Sequence, residues 1–198
     1  MGATAIARYG ESVRALIIVD VQNDFCEGGS LAVAGGAAVA AAISVLLAKP
    51  DHGYRHVVAT TDYHIDPGSH FSENPDFWQS WPVHCVAGSP GASFHPAFDT
   101  SNVQAVFRKG AHAAAYSGFE GVDEQEKPLA DWLREHEVHA VDVVGIATDY
   151  CVRATAADAV AAGFSTRVLL GLTVGVDPRT TAESIAALRE AGVELVPA

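Results

Sequence analysis

Four short apolar runs in the sequence each lead into residues that can take part in acid–base, nucleophilic or metal chemistry. These residues are Asp20, the pair Asp62 and His64, Lys109, and Cys151. Short apolar runs of this kind are typical of strands that are buried on both faces of a parallel sheet. The carboxyl ends of such strands meet at one edge, where ligands bind. We therefore expect an acid, an Asp/His pair, a lysine and a thiol to converge on one site.

Cys151 is the candidate nucleophile. The sequence predicts a helix over residues 149–162, with Thr148 or Asp149 as its N-cap, and this places Cys151 in the first turn. Free N–H groups and the helix dipole lower the pKa of a thiol at such a position, and the thiolate is the reactive form. The alternative is that Cys151 is a small buried hydrophobic residue, as most free cysteines are.

Lys109 and Asp20 are candidate partners of that thiol. Lys109 is one of three lysines and directly follows an apolar run, so it could stabilise a thiolate and a neighbouring carboxylate. Asp20 ends a buried strand, where an unpaired carboxylate is costly, and beside a lysine and a thiol it could act as general base and then general acid. Taken singly, Lys109 could instead protect a sheet edge, and Asp20 could cap the following turn.

The candidate metal ligands are Asp62, His64, His70 and His84. Asp62 and His64 lie two residues apart, so on an extended chain their side chains point the same way, and the other two follow in a long loop. Mixed carboxylate and imidazole ligands suit one divalent ion of zinc, iron or manganese. The loose spacing is a weak signal by itself, because several of the nine histidines are expected at the surface.

The loop over residues 62–101 has neither helical nor strand periodicity, although structureless loops in compact domains rarely exceed about 15 residues. Its aromatic residues argue against disorder, and a bound metal could hold it in place. Trp81 in this loop, together with Phe25 and Tyr116, could stack against an aromatic ligand. Ordinary packing is the alternative for all three side chains.

The elements that must position these residues alternate between strands and helices. The predicted strands cover residues 14–20, 55–61, 104–108, 139–145, 166–170 and 193–196. The predicted helices cover residues 37–48, 128–137, 149–162 and 180–191. Such alternation predicts an α/β fold with a mostly parallel sheet and right-handed crossovers.

Composition limits the classes of function. The chain has 198 residues, 49% hydrophobic and 18% charged, which predicts one globular domain over residues 1–198, with residues 1–13 as an extension of unknown role. The net charge of −12 disfavours nucleic acid as a partner. Residues 28–48 lack charge but are rich in Gly and Ala, so a buried helix is favoured over a membrane span. Three cysteines make no disulfide framework, and we expect a cytoplasmic protein.

Six segments of the chain form an ordered set, although none of them is decisive alone. They are residues 15–31 (ALIIVDVQNDFCEGGSL), 62–64 (DYH), 81–85 (WPVHC), 107–110 (FRKG), 116–123 (YSGFEGVD) and 145–153 (GIATDYCVR). In this order and spacing, the set resembles the nicotinamidase/pyrazinamidase family of the isochorismatase-like hydrolase superfamily. The resemblance covers the chain from about residue 14 to residue 196 and is highly specific as a set.

The resemblance implies a fold and a catalytic centre. The fold is a three-layer α/β/α arrangement around a parallel sheet. The implied catalytic triad is Asp20, Lys109 and Cys151. The implied oxyanion hole consists of the backbone N–H groups of Ala147 and Cys151, with a cis peptide bond between Ile146 and Ala147.

The resemblance also implies a ligand set and a reaction. The implied ligands of one divalent metal ion, completed by water, are Asp62, His64, His70 and His84. Phe25, Trp81 and Tyr116 match the aromatic pocket of the family, and Tyr150 stands where a family member has histidine. The implied substrate is a small heteroaromatic amide. Nicotinamide would be hydrolysed to nicotinic acid and ammonia through a cysteine thioester, and pyrazinamide to pyrazinoic acid.

The residues alone leave other functions open. A metal-dependent hydrolase would use metal-bound hydroxide, with Cys151 in a structural role. A binding module would hold a small aromatic ligand without turnover, although it would not need a thiol, an acid and a lysine together. Isochorismate cleavage is disfavoured by the thiol and the metal set. Zinc, iron and manganese, both amides, and a monomer or a small homo-oligomer are all compatible with the sequence.

Overall fold

The computed structural model describes residues 13–197, and within them the chain forms one sheet of six parallel strands. The strands are β1 Arg14–Val19, β2 His56–Asp62, β3 Ala105–Lys109, β4 Ala140–Ile146, β5 Ser165–Val174 and β6 Glu194–Val196. The helices are α1 Gly36–Leu47, α2 Leu129–Glu135, α3 Arg153–Ala161 and α4 Pro178–Glu190. All predicted strands and helices are therefore present, with boundaries that differ by a few residues.

The central strands are apolar throughout because both of their faces are covered. Successive side chains of a strand point to opposite faces, so Ile17 joins one hydrophobic core and Ile18 joins the other. The core that contains Ile18 includes Ile43 of α1. The core that contains Ile17 includes Leu133 of α2 and Ala156 of α3. The predicted three-layer α/β/α fold is thereby confirmed.

The order of the strands places a crevice at the carboxyl ends of β1 and β4. In space the order is β3-β2-β1-β4-β5-β6, so the chain builds outward from β1 in one direction and then returns to build from β4 in the other. The connections that follow β1 and β4 therefore diverge, and such a switch point is where ligands bind in open α/β sheets. Asp20 follows β1 directly, and its φ of 49° takes the chain out of the sheet.

Two boundaries differ from prediction in ways that matter. The helix predicted over residues 149–162 is interrupted, because Thr148–Val152 forms a π-helical turn and α3 begins only at Arg153. Strand β5 extends to Val174, four residues beyond the prediction, and its pairing with β4 shifts register on the way. Both differences lie where β4, β5 and α4 approach the crevice.

The long segment between β2 and β3 matches its prediction. It contains a short 3₁₀ turn at Gly68–His70 and isolated bridges, one of which joins Phe71 to Trp81. Within residues 13–197, no helix combines the length and the apolar character that a membrane crossing requires. The expected N-terminal extension, residues 1–13, lies outside the described residues except for its last member.

Candidate active site

The predicted acid, lysine and thiol meet in the crevice beyond the sheet. Lys109 Nζ lies 2.9 Å from Asp20 Oδ2 and 3.7 Å from Cys151 Sγ. It also donates a hydrogen bond to Asp62 Oδ1. The Thr60 hydroxyl donates to Asp20 Oδ1 at 2.6 Å. Asp20, Lys109 and Cys151 are all buried, so these charges interact with little screening by water.

One ammonium group thus faces two carboxylates and a thiol. Burial alone would raise the pKa of Asp62, but the Lys109 charge and the nearby His64 and His84 side chains hold it well below its usual range. For Asp20, burial and the charge of Asp62 outweigh Lys109, so its pKa is raised. Burial alone would lower the pKa of Lys109, but the two carboxylates raise it well above its usual value.

The Cys151 thiol holds its proton in this environment. Burial raises its pKa well above the usual range, Lys109 opposes the shift, and the Asp20 and Asp62 charges add to it. The expected lowering of this pKa by a helix N-terminus is therefore wrong. A thiol in this state needs a base beside it before it can attack, and Asp20 is placed to be that base.

The turn that carries the thiol, Thr148–Val152, is called the Cys151 turn below. Ala147 precedes it without any side-chain cap, so the predicted N-cap role of Thr148 or Asp149 is wrong. The Ala147 carbonyl accepts the N–H groups of Tyr150 and Val152, each at 3.1 Å, and the N–H of Cys151 lies between these two donors in the chain. The peptide bond between Ile146 and Ala147 is cis, as the resemblance implies.

Three of the predicted metal ligands converge beside this group. Nitrogen atoms of His64, His70 and His84 lie within 4.8 Å of one another. Asp62 Oδ2 lies 3.6 Å from His64 Nε2 and 3.7 Å from His84 Nε2. Within the described residues, His64 Nε2 and His70 Nδ1 are buried without a hydrogen-bond partner, which is costly for a polar atom. Three imidazoles that lie close together, with a carboxylate beside two of them, fit a divalent metal ion.

Backbone carbonyls fix the orientation of two of these imidazoles. His64 Nδ1 lies 2.6 Å from the Gly110 carbonyl oxygen, and His84 Nδ1 lies 2.7 Å from that of Pro82. Their Nε2 atoms are therefore the ones left for a metal, the usual arrangement around such an ion. Burial and the two neighbouring imidazoles lower the pKa of His70 to about 4, so it is neutral and able to act as a ligand at pH 7.

Gly110 must be a glycine for this arrangement to form. Its φ of +77° is unfavourable for other residues, and a Cβ there would lie 2.6 Å from His64 Cε1. The glycine that follows Lys109 therefore lets the backbone approach and orient His64.

Above these polar groups lies a cavity with an empty volume of about 560 Å³, its mouth included. The four predicted aromatic residues that line it are Phe25, Trp81, Tyr116 and Tyr150. Cys151, Asp62, His70 and His84 also line it. The cavity therefore brings an aromatic wall, the thiol and metal-ligating side chains to one ligand.

Three of the aromatic side chains support one another. Trp81 Nε1 donates to the Tyr116 hydroxyl at 3.0 Å. The Trp81 and Tyr150 rings meet edge to face, with centroids 5.0 Å apart. The Tyr150 hydroxyl donates to the Phe77 carbonyl at 3.5 Å. Tyr150 thus joins the turn that carries the thiol to the long segment that carries Trp81.

Comparison with known proteins identifies the family. A family model described as isochorismatase domain matches residues 14–198. The chain is 65% identical over 184 residues to the nicotinamidase/pyrazinamidase of Mycobacterium tuberculosis, and this alignment covers 93% of the chain and 98% of the relative. The chain belongs to the isochorismatase family.

Two solved structures have folds similar to that of this chain. A crystal structure of an L. infantum protein in complex with nicotinate has a TM-score of 0.82 and 37% identity, over 94% of this chain and 93% of that one. The pyrazinamidase of Pyrococcus horikoshii, crystallised with zinc, has a TM-score of 0.79 and 34% identity, over 93% and 99% of the two chains.

One buried polar residue of the site, Gln22, is not among the residues predicted from the sequence. The Gln22 side chain donates to the Asp62 carbonyl at 2.8 Å and accepts the Asp62 N–H at 2.9 Å. It also donates to the Ala92 carbonyl at 2.9 Å. Because β1 turns away at Asp20, this amide supplies the partner that a continuing strand would have given to Asp62. A polar residue two positions after a buried strand end was the available signal.

Proposed function

We propose that the protein is an amidase that hydrolyses nicotinamide to nicotinic acid and ammonia, and pyrazinamide to pyrazinoic acid, through a thioester on Cys151. The observation that carries the proposal is the position of the Cys151 thiol, beside Lys109 and Asp20, in the wall of an aromatic cavity. The 65% identity to a nicotinamidase/pyrazinamidase over most of both chains supports the same activity.

The cavity selects a flat heteroaromatic ring. Phe25, Trp81 and Tyr116 provide aromatic surfaces against which such a ring can stack. Asp62, His64, His70 and His84 would hold one divalent ion of zinc, iron or manganese, and this ion would supply a Lewis-acidic contact that orients the ring nitrogen. With the ring held in this way, the carboxamide can face the Cys151 thiol.

The first half of the reaction forms the thioester. Asp20 takes the thiol proton as Cys151 Sγ attacks the amide carbon, and Lys109 stabilises the sulfur while its negative charge develops. The N–H groups of Ala147 and Cys151 donate to the amide oxygen as it becomes an oxyanion. Asp20 then gives its proton to the leaving nitrogen, the C–N bond breaks and ammonia departs.

The second half regenerates the thiol. Asp20 is again a carboxylate and removes a proton from a water molecule, which attacks the thioester carbon. The C–S bond breaks, Cys151 recovers its proton from Asp20, and the carboxylic acid is released. A carboxyl group whose pKa is raised by burial suits this alternation between base and acid.

Ammonia release from nicotinamide by the purified protein tests the proposal. We expect Cys151→Ala to reduce turnover by at least about 10⁴-fold while nicotinamide still binds, because the variant lacks the nucleophile and keeps the cavity. Cys26→Ala is the matched control, since Cys26 is a buried thiol in the core on the α1 side of the sheet. It should retain turnover.

Two results would contradict the proposal. Release that survives the Cys151→Ala change would assign the nucleophile to metal-bound water. Tight nicotinamide binding by the wild type without ammonia release would favour a binding module. We also propose that the enzyme works in the cytoplasm as a monomer or a small homo-oligomer, which cell fractionation and light scattering would test.

A further inference from the structure

Asp149 is a buried carboxylate that the proposed mechanism does not use. It lies in the Cys151 turn, two residues before the thiol, and is 3% exposed. Its Oδ1 accepts the Val176 N–H at 3.0 Å. Its Oδ2 accepts the Thr180 hydroxyl at 2.5 Å and the Asp177 N–H at 3.3 Å. All three donors belong to the β5–α4 connection or to the first turn of α4.

The Cys151 turn needs an external restraint. π-Helical turns are rare and less favourable than α-helix, and this turn has no side-chain cap of its own. Hydrogen bonds to a carboxylate are roughly twice as strong as those between neutral groups. Asp149 therefore supplies through tertiary contacts the stabilisation that local sequence does not provide.

The partner segment is itself firmly placed, and it also contributes to the cavity. Gly175 approaches α4 so closely that a Cβ at that position would lie 1.8 Å from Thr181 Oγ1. Val176, the next residue, lines the cavity. The Asp149 carboxylate thus connects the Cys151 turn to residues 175–177, of which Val176 lines the cavity. These three residues are called the Val176 wall below.

We propose that Asp149 is a positioning residue, whose carboxylate fixes the Cys151 turn against the Val176 wall and so sets both the aim of the thiol and the width of the cavity. This inference rests on the proposed amidase function. Because a displacement of about 1 Å at a reacting group can cost about 10²-fold in rate, we expect Asp149→Asn to reduce kcat for nicotinamide about 10- to 100-fold. It should also weaken discrimination against a larger ring.

The decisive measurement is the ratio of kcat/KM for nicotinamide to that for 5-methylnicotinamide. This ratio does not depend on the fraction of folded enzyme, so a merely structural role would leave it unchanged. We expect Asp149→Asn to shift it at least about 3-fold toward the methylated amide, since pocket fit for one methyl group is worth about 10-fold or more. Metal content per chain should stay at the wild-type value.

Three further variants complete the test. Thr180→Val removes one of the three donors and should shift the ratio in the same direction, whereas Thr180→Ser keeps the hydroxyl and should restore the wild-type value. Asp158→Asn, which removes an exposed carboxylate of α3, should change nothing. If Asp149→Asn does not fold, the Thr180 pair decides the question alone.

An unchanged substrate ratio in Asp149→Asn, or in Thr180→Val when only that variant folds, would overturn the inference. So would a loss of activity that only follows the loss of folded protein. Absence of ammonia release from the wild type would instead overturn the proposed function itself.

Discussion

Both ends of the sheet bury a carboxylate against cations, and the two clusters are built in opposite ways. At the amino end, Asp142 of β4 accepts from Arg14 at 2.5 Å, from Arg167 at 2.8 and 2.6 Å, and from the Tyr54 hydroxyl at 2.7 Å. Two guanidinium groups and one hydroxyl therefore donate hydrogen bonds to this single carboxylate. At the carboxyl end, Lys109 is shared by two carboxylates and a thiol.

The pKa shifts reflect this contrast. Burial would raise the pKa of Asp142, but the hydrogen bonds from Arg167 and Tyr54 and the charge of Arg14 lower it. The pKa of Asp20 is raised instead, because burial and Asp62 outweigh the shared lysine. A carboxylate with several cationic and hydrogen-bonding partners, such as Asp142, stays ionised and stabilises the fold. A carboxylate that shares one cation with a second carboxylate, such as Asp20, accepts a proton more readily. The stabilising cluster and the proposed catalytic cluster thus lie at opposite ends of the same strands, as the trade-off between stability and activity favours.

Among the variants that test this contrast, Asp20→Asn should have the largest effect on activity and only a small effect on stability. The amide cannot accept a proton from the thiol, so kcat should fall about 10²- to 10⁴-fold. The effect on stability stays small because the amide oxygen can still accept from Thr60 and Lys109 keeps Asp62 as its partner, although the amide NH2 replaces the oxygen that faces Lys109. Steady-state kinetics measures the change in kcat, and urea denaturation measures the change in the free energy of unfolding. An Asp20→Asn variant that is clearly less stable than the wild type would show that Asp20, like Asp142, stabilises the fold.

The loss of a metal ligand should have the next largest effect on activity. His84→Ala removes one imidazole from the converging set, and we expect metal content per chain and kcat/KM both to fall by more than about 10-fold, since losing even an outer partner of a metal ligand costs about 10- to 100-fold. His112→Ala, an exposed histidine two residues after Gly110, is the control and should keep both values. Elemental analysis of the purified proteins gives the metal content. Full metal content in His84→Ala would remove this residue from the ligand set.

Asp142→Asn should show the reverse pattern to Asp20→Asn. The change leaves Arg14 and Arg167 without their carboxylate, and we expect the free energy of unfolding to fall by about 2 kcal/mol. This is below the cost of a fully buried pair because both guanidinium groups reach water. Activity per folded molecule should be unchanged, since the cluster lies at the far end of the strand. A loss of kcat without a loss of stability would contradict the division between the two ends.

The sequence predicted the carboxyl-end cluster because its members follow apolar runs, and parallel strands bring such positions to one edge. The sequence does not predict the role of Asp142, because this residue lies inside the apolar run from residue 139 to residue 145. The strand register explains why Asp142 is buried there, since Asp142 lies directly opposite Arg167 on β5. This pair becomes visible only when the register of β4 and β5 is known.

The Cys151 turn was mispredicted for a related reason. Residues 149–162 read as one helix because local propensity contains no signal for a π-helical start. The restraint comes from Asp149 through residues 27 to 31 positions further along the chain. Asp62 was likewise assigned to the metal alone, whereas the structure also pairs it with Lys109. Contacts between residues that are distant in the sequence determine the role of Asp142, the π-helical form of the Cys151 turn and the pairing of Asp62 with Lys109.

The smallest predicted effect is the pH dependence of the Asp142 contribution. The folded-state pKa of Asp142 lies below its usual value of 3.8, so the ionised form is favoured by folding. Its contribution to stability is therefore complete above about pH 5 and is lost as the pH falls below 3.8 toward the folded-state pKa. The stability difference between the wild type and Asp142→Asn should be constant from pH 7 to about pH 5 and should shrink below about pH 4.

Urea denaturation at several pH values, with a chelator present so that metal loss does not contribute, measures this difference. Glu135→Gln is the control, because the Lys127–Glu135 pair is largely exposed and such pairs contribute about 0–1 kcal/mol. Its difference from the wild type should stay small at every pH. A difference for Asp142→Asn that persists undiminished at about pH 3 would mean that the lost contact is one of packing, and that the amino end of the sheet is stabilised by shape and not by charge.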